Sequence, residues 1–342
     1  MRWKRRLVAV AGGAAVLLVL AFLVAFLRHS PGGEEVPPLD LDNSPLPIPA
    51  GMYASSFYLH PDGGLLFKAW DIRQAPQPPM TIYYWKGTEL RRFDPPRKLF
   101  FPASWVEWQG SLCVFDYISR KLYPFSASSG GIGRPLPFEG NLAIVLPLSD
   151  GSYCTGGRLA ISSDQGYYLA IRDPEMRVIR EFCPVRTMED PDEVEWNDSV
   201  WAAVDSSGRI WVVKSTSPRI HLYGAAGESL GAMQLEAPGF VPHPSRSTGD
   251  THVDHAAWTP VVHFSLQEKD GYFLLQWRAG QSSLATTFYD LEGNPLWHGE
   301  MPGIVWRLDQ HLMYLNVTQD PAGKPQEWIR TQAIPVLPSR TK

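Results

Sequence analysis

The densest group of chemistry-bearing side chains lies between Pro184 and Ser199, a stretch holding Glu189, Asp190, Asp192, Glu193, Glu195, Asn197 and Asp198. Carboxylate and amide oxygens crowded in this way suit a hard cation such as Ca²⁺, which takes roughly six to eight oxygen ligands. The spacing does not follow the D-x-D-x-D-G order of an EF-hand loop, and a solvated acidic loop carries the same residues without a metal. A second group spans Ala237 to Thr259, with His243, Arg246, His252, Asp254, His255 and Trp258. His252-x-Asp254-His255 brings two imidazoles and a carboxylate together, groups suited to Zn²⁺ or to general-base work. On an extended chain His252 and Asp254 share a side while His255 faces away. A tight site therefore needs a turn there, and a loop of surface histidines is the other reading.

Several classes are disfavoured. The chain has no G-x-S-x-G elbow, P-loop or dinucleotide-binding fingerprint. All 35 acidic residues and 26 of the 31 basic ones lie at or beyond His29, so that part carries a net charge of −9. A surface of that sign disfavours nucleic acid and anionic lipid headgroups as partners. Cys113, Cys154 and Cys183 form no metal motif. An oxidising compartment permits one disulfide among them with one thiol left over, and three buried free thiols is the alternative.

The elements that hold these loops are β-strands. From Gly51 onward, short runs of Val, Ile, Leu, Tyr, Phe and Trp alternate with turn residues, and Pro recurs too often for long helices. One turn repeats: Pro61-Asp62-Gly63-Gly64, Trp108-Gln109-Gly110, Ser149-Asp150-Gly151, Asp205-Ser206-Ser207-Gly208, Lys269-Asp270-Gly271 and Leu308-Asp309-Gln310. Each precedes an apolar strand, such as Arg209-Ile210-Trp211-Val212-Val213. A second turn follows in several repeats, at Lys86-Gly87, Ala225-Ala226-Gly227 and Glu292-Gly293. Six repeats averaging about 48 residues match four-stranded propeller blades. The expected fold is an all-β, six-bladed β-propeller over 51–338; a two-sheet sandwich or two tandem β domains is the alternative.

A resemblance rests on the fourth repeat. Val204-Asp205-Ser206-Ser207-Gly208-Arg209-Ile210-Trp211-Val212-Val213, Ser217-Pro218-Arg219-Ile220-His221-Leu222-Tyr223 and Gly227-Glu228 resemble a blade of NHL-like and TolB-like six-bladed propellers. Ser119-Arg120-Lys121-Leu122-Tyr123-Pro124-Phe125 is a fainter copy. The resemblance implies ring closure with a strand borrowed from residues 41–50. Lactonase-type propellers hold a divalent ion with acidic and Asn side chains near the axis, which singles out Glu195 and Asn197, with Asp198 beside them. It does not choose between binding and catalysis. Both long loops are expected on one face, flanking the fourth blade.

The N-terminus reads as a membrane anchor. Leu7 to Leu27 is an unbroken run with no charged side chain. Its twenty-one residues reach about 31 Å as a helix, enough to span a hydrocarbon core of ~30 Å. Arg2, Lys4, Arg5 and Arg6 precede it, only Arg28 follows closely, and the next basic residue is Lys68. This asymmetry places residues 1–6 in the cytoplasm as a basic tail and the remainder in the periplasm or outside the cell. A cleaved signal peptide is the alternative, although the run is long for one and lacks a small-x-small cleavage site. Residues 28–50, rich in Pro, form a stalk. The whole reads as a tethered binding module for a protein or small extracytoplasmic ligand, with no cofactor beyond a possible Ca²⁺. A metal-dependent hydrolase of the lactonase type and a structural subunit of an envelope complex are the alternatives.

Overall fold

The structure is a computed structural model. It describes residues 42–45, 52–60, 64–71, 81–86, 89–93, 102–116, 119–126, 131–138, 140, 142–157, 166–184, 200–241, 259–278, 284–301, 303–308, 311–319 and 325–333. The expected anchor, Leu7 to Leu27, lies outside these residues. Among the described residues no helix is long and apolar enough to cross a membrane.

The described strands form antiparallel four-stranded sheets. Sheet 1 comprises Met52–Leu59, Leu65–Asp71, Thr81–Lys86 and Glu89–Phe93. Sheet 2 comprises Pro102–Trp108, Ser111–Asp116, Lys121–Ser126 and Gly131–Ile132. Sheet 3 comprises Ile144–Pro147, Tyr153–Gly156, Tyr167–Arg172 and Val178–Pro184. Sheet 4 comprises Val200–Val204, Ile210–Lys214, Arg219–Tyr223 and Ser229–Gln234. Sheet 5 comprises Val261–Gln267, Tyr272–Arg278, Leu284–Asp290 and Pro295–Met301. A further sheet, sheet 6, joins Val305–Leu308, His311–Gln319 and Pro325–Ala333 to Asp42–Pro45 from the other end of the chain. There Asp42 pairs with Thr331 and Pro45 with Trp328.

The first strands of sheets 1 to 5 approach one another in succession, and that of sheet 1 also meets Pro325–Ala333. Sheet 5 is tied to sheet 6 by Gln276, whose Oε1 accepts a bond from the Val305 amide at 2.7 Å. The sheets therefore stand as blades around an axis: the fold is an all-β propeller.

Strand alternation explains the arrangement. Successive side chains point to opposite faces, so a sheet apolar at every position needs cover on both sides. In blade 4, Ile210 and Val212 join the core shared with blade 3, while Trp211 and Val213 join that shared with blade 5. In blade 5, Phe273 and Leu275 face blade 4 and Leu274 faces Val305 of blade 6. Leu66 packs with Val114 and Phe125 of blade 2, whereas Leu65 and Phe67 lie on the other face of blade 1. Burying one such side chain stabilises the fold by about 1.5–3 kcal/mol. Cys113, Cys154 and Cys183 are buried free thiols inside these wedges.

The recurrent turns all join the first strand of a blade to its second. Gln109 and Gly110 sit at φ 47° and 73°, the left-handed pair that a two-residue hairpin requires. In blade 4 the turn is organised by Asp205, whose side chain is 1 % exposed. Its Oδ1 accepts from the amides of Ser207 and Arg209 and from the Ser207 hydroxyl, at 3.0, 2.9 and 2.6 Å. Its Oδ2 accepts from Arg209 Nε at 2.7 Å and Trp211 Nε1 at 2.8 Å. Burial pushes this carboxyl up, but the donors from Ser207, Trp211 and Arg209 outweigh it and hold the pKa at about 2.

Because the folded pKa lies below the ordinary value of 3.8, Asp205 stabilises the fold above that value. The contribution is lost as pH falls through about 2. Asp205→Asn is expected to lower stability at pH 7 by ~2 kcal/mol and to flatten the acid limb below pH ~4, read by urea unfolding across pH. An acid limb identical to the native one refutes this role.

Candidate functional site

In each blade, the links between second and third strands and the links between blades leave at one end; the tight turns lie at the other. Both long inter-blade segments of the sequence analysis begin and end at the loop-bearing end. The first connects Pro184 to Val200, and the second connects Val241 to Thr259. Glu195, Asn197, Asp198, His252, Asp254, His255 and Trp258 lie outside the described residues; the stems that carry them do not.

Those stems converge on two consecutive residues of blade 4. Lys214 ends the second strand and pairs with Val200, the first residue after the acidic segment. Its Nζ donates to the Pro184 carbonyl at 3.2 Å, so one lysine meets both stems of that segment. The ammonium is also 5.7 Å from the centroid of the Tyr168 ring. The next residue, Ser215, accepts at its carbonyl from the Val261 amide at 2.8 Å, directly after the second segment. That segment is clasped at its neck: the Thr259 amide donates to Val241 O at 2.9 Å, and the Val241 amide donates to Thr259 Oγ1 at 2.7 Å.

Two cations, Lys214 and Arg219, stand behind the stems and act on His221. Lys214 is 3 % exposed. Ile210, Val212 and Lys214 alternate toward blade 3, and His221, paired with Val212, sits on the same face. Burial, then repulsion from Lys214 and Arg219, holds the His221 imidazole down at about 4. Arg219 keeps a buried Nε with no hydrogen-bond partner. Among the described residues, no group of three or more His, Cys, Asp or Glu side chains is placed to hold a metal ion.

Sequence reasoning missed a second opening, at the tight-turn end of the wedge between blades 1 and 2. This cavity has a volume of about 580 Å³ and is lined by His60, Tyr84, Lys86, Glu89, Arg91, Gly110, Ser111, Leu112, Phe125 and Ser126. Tyr84 forms one wall. A Cβ on Gly64 would stand 2.3 Å from its ring, so only glycine lets the ring lie there. Arg91 pairs with Tyr84 across the hairpin and holds its guanidinium 5.8 Å from the ring centroid. Lys86 pairs with Glu89, and Arg91 Nε donates to Glu89 Oε1 at 2.6 Å. Phe125 lies at the base, edge-on to Trp105 and Phe93 with both centroids at 5.5 Å. The hairpin turn at Lys86-Gly87 was the available signal: it sets Tyr84 opposite Arg91. The wall from blade 2 has no counterpart in local sequence.

Neither a protein-family model nor a curated protein sequence matches the chain. Solved structures do match its fold. A Bacteroides fragilis protein designated as exported aligns over 86 % of this chain and 95 % of its own, with TM-score 0.54 and 12 % identity. A luciferin-regenerating enzyme aligns over 87 % and 97 %, with TM-score 0.50 and 10 % identity. A streptogramin B lyase aligns over 86 % and 98 %, with TM-score 0.47 and 11 % identity. The class so defined is the β-propeller; identities this low establish fold and nothing finer.

The depressed pKa of His221 makes stability depend on pH. The unfolded chain binds a proton near 6.5 and the folded chain only near 4, so stability falls as pH drops through that interval. His221→Gln is expected to reduce this slope and leave a remainder from His263, which burial also holds at about 4. Thermal unfolding at pH 7.5, 6 and 4.5 measures it, and an unchanged slope in the variant refutes the assignment.

Proposed function

We propose that this chain is a membrane-tethered, six-bladed β-propeller that serves outside the cytoplasm as a binding module. It docks a protein or small ligand at the loop-bearing end of blade 4. The observation that carries the reading is the convergence of both long segments on Lys214 and Ser215. Long loops held by rigid strands at one end of a scaffold are the usual means of recognition. Their side chains include Glu195, Asn197 and Asp198 from one segment and His252, Asp254, His255 and Trp258 from the other. The tether is the Leu7–Leu27 run, oriented by Arg2, Lys4, Arg5 and Arg6. The net charge of −9 beyond it argues for partners other than nucleic acid.

In intact cells, a photo-crosslinking residue replacing Trp258 is expected to give a discrete adduct. The same residue replacing Lys269, at the tight-turn end of blade 5, should give none. Protease added outside should release the domain and leave an N-terminal tag protected. Equal labelling from both positions, or none from position 258, counts against the docking end; a protease-sensitive N-terminal tag counts against the orientation. An adduct arising instead from Ile179, which is 63 % exposed on the outer strand of blade 3, would favour a subunit of an envelope complex.

One observation favours a second reading, a metal-dependent hydrolase of the lactonase type. Glu195, Asn197 and Asp198 lead directly into Val200, the first residue of the innermost strand of blade 4. On this reading they hold a Ca²⁺ ion near the axis. Millimolar Ca²⁺ should then raise the melting temperature of the purified protein, and Glu195→Gln with Asn197→Ala should abolish the rise. A melting temperature unchanged by Ca²⁺ and by chelator removes the reading.

A further inference from the structure

We propose that the cavity between blades 1 and 2 is a separate binding site for a small organic anion, one negative group on an apolar body. It lies at the tight-turn end, away from the loops of blade 4, and does not depend on their role.

Between blades 4 and 5 the tight-turn ends are stitched: the Ser206 amide and hydroxyl both donate to the Glu268 carboxylate, at 2.6 Å each. Blades 1 and 2 are joined instead by the Tyr58 hydroxyl donating to Glu107 and by Trp105 Nε1 donating to the Ser56 carbonyl. All four residues belong to the first strands of the two blades, and the wedge opens between their later strands. Its volume of about 580 Å³ falls in the ~300–1,000 Å³ range of small-molecule sites.

The lining fixes the ligand class. Tyr84 and Phe125 are buried, at 4 % and 7 % exposure, and close the base of the cavity, with the half-buried Leu112 as its apolar side. Against Leu112 and the edges of these rings an apolar body is favoured over a sugar, whose hydroxyls would lose water without replacement. The rim carries Lys86 and Arg91 with one described carboxylate, Glu89, which is already bonded to Arg91. The described lining is thus net positive within a domain of net charge −9. A carboxylate or sulfonate on the ligand gains charge-assisted bonds at this rim. The hydroxyls of Ser111 and Ser126 stand in the same lining. A polyanion meets too few cations here and is repelled by the domain as a whole.

The test is calorimetric titration of the full chain in nanodiscs with 1-naphthoate and with neutral 1-naphthamide, empty nanodiscs serving as the blank. Naphthoate is expected to bind once per chain, about tenfold tighter than naphthamide, with the advantage shrinking at high salt. Lys86→Gln with Arg91→Gln should remove most of that advantage and leave naphthamide binding unchanged. Ser111→Trp, an exposed rim position, should block both compounds while leaving the melting temperature near native. Equal affinity for the two compounds overturns the anionic class. Binding of neither, or binding that survives Ser111→Trp, overturns the site. Neither outcome bears on labelling from position 258, so this site and the docking end of blade 4 stand or fall separately.

Discussion

The structure depends on sheets that are apolar on both faces. A strand such as Tyr272–Arg278, buried at every position but its last, cannot be covered by one neighbour. Each blade therefore needs a blade on either side, and the requirement ends only when the ring closes. Closure uses Asp42–Pro45, which supplies the outermost strand of the sheet built from the C-terminal strands. The two ends of the domain are thereby tied by main-chain hydrogen bonds, and the three thiols, Cys113 in blade 2 and Cys154 and Cys183 in blade 3, stay buried and free as small apolar groups.

Polar groups inside such an apolar ring must be satisfied where they stand. Gln276, fully buried, donates to Thr286 Oγ1 at 2.8 Å and accepts from Val305, linking strands of blade 5 to the start of blade 6. Asp205 gathers the amides of its own turn and the indole of Trp211, so the turn and the wedge behind it form as one unit. Lys214 does the same at the opposite end. Its stem is buried while its ammonium reaches a carbonyl and an aromatic face. The devices that satisfy buried polarity are thus also the ones that position the connections, and this makes the loop-bearing end of blade 4 a defined place.

The turns were legible because their chemistry is local. Gln109-Gly110, Asp205 to Gly208 and Asp270-Gly271 carry the glycine and aspartate that tight hairpins require, and each joins the expected strands. The expected grouping of the long segments around the fourth blade came from counting strands, and the stems at Pro184, Val200, Val241 and Thr259 follow that count. The cation set behind the stems was not legible. Lys214 and Arg219 look like ordinary strand residues until pairing with Val200 sets Lys214 between the stems and against Tyr168 of another blade.

By itself the sequence determined the all-β class, the repeat length, the turn positions and the charge division on either side of the Leu7–Leu27 run. All follow from side-chain periodicity, backbone preference and composition, which act over a few residues. Only the tertiary structure decided which faces meet and where a wedge stays open. Tyr84 and Phe125 are distant in sequence and line one cavity because they stand on two blades that the fold sets side by side. Packing complementarity between separate sheets is a property of both surfaces together, and no local pattern in either one records it.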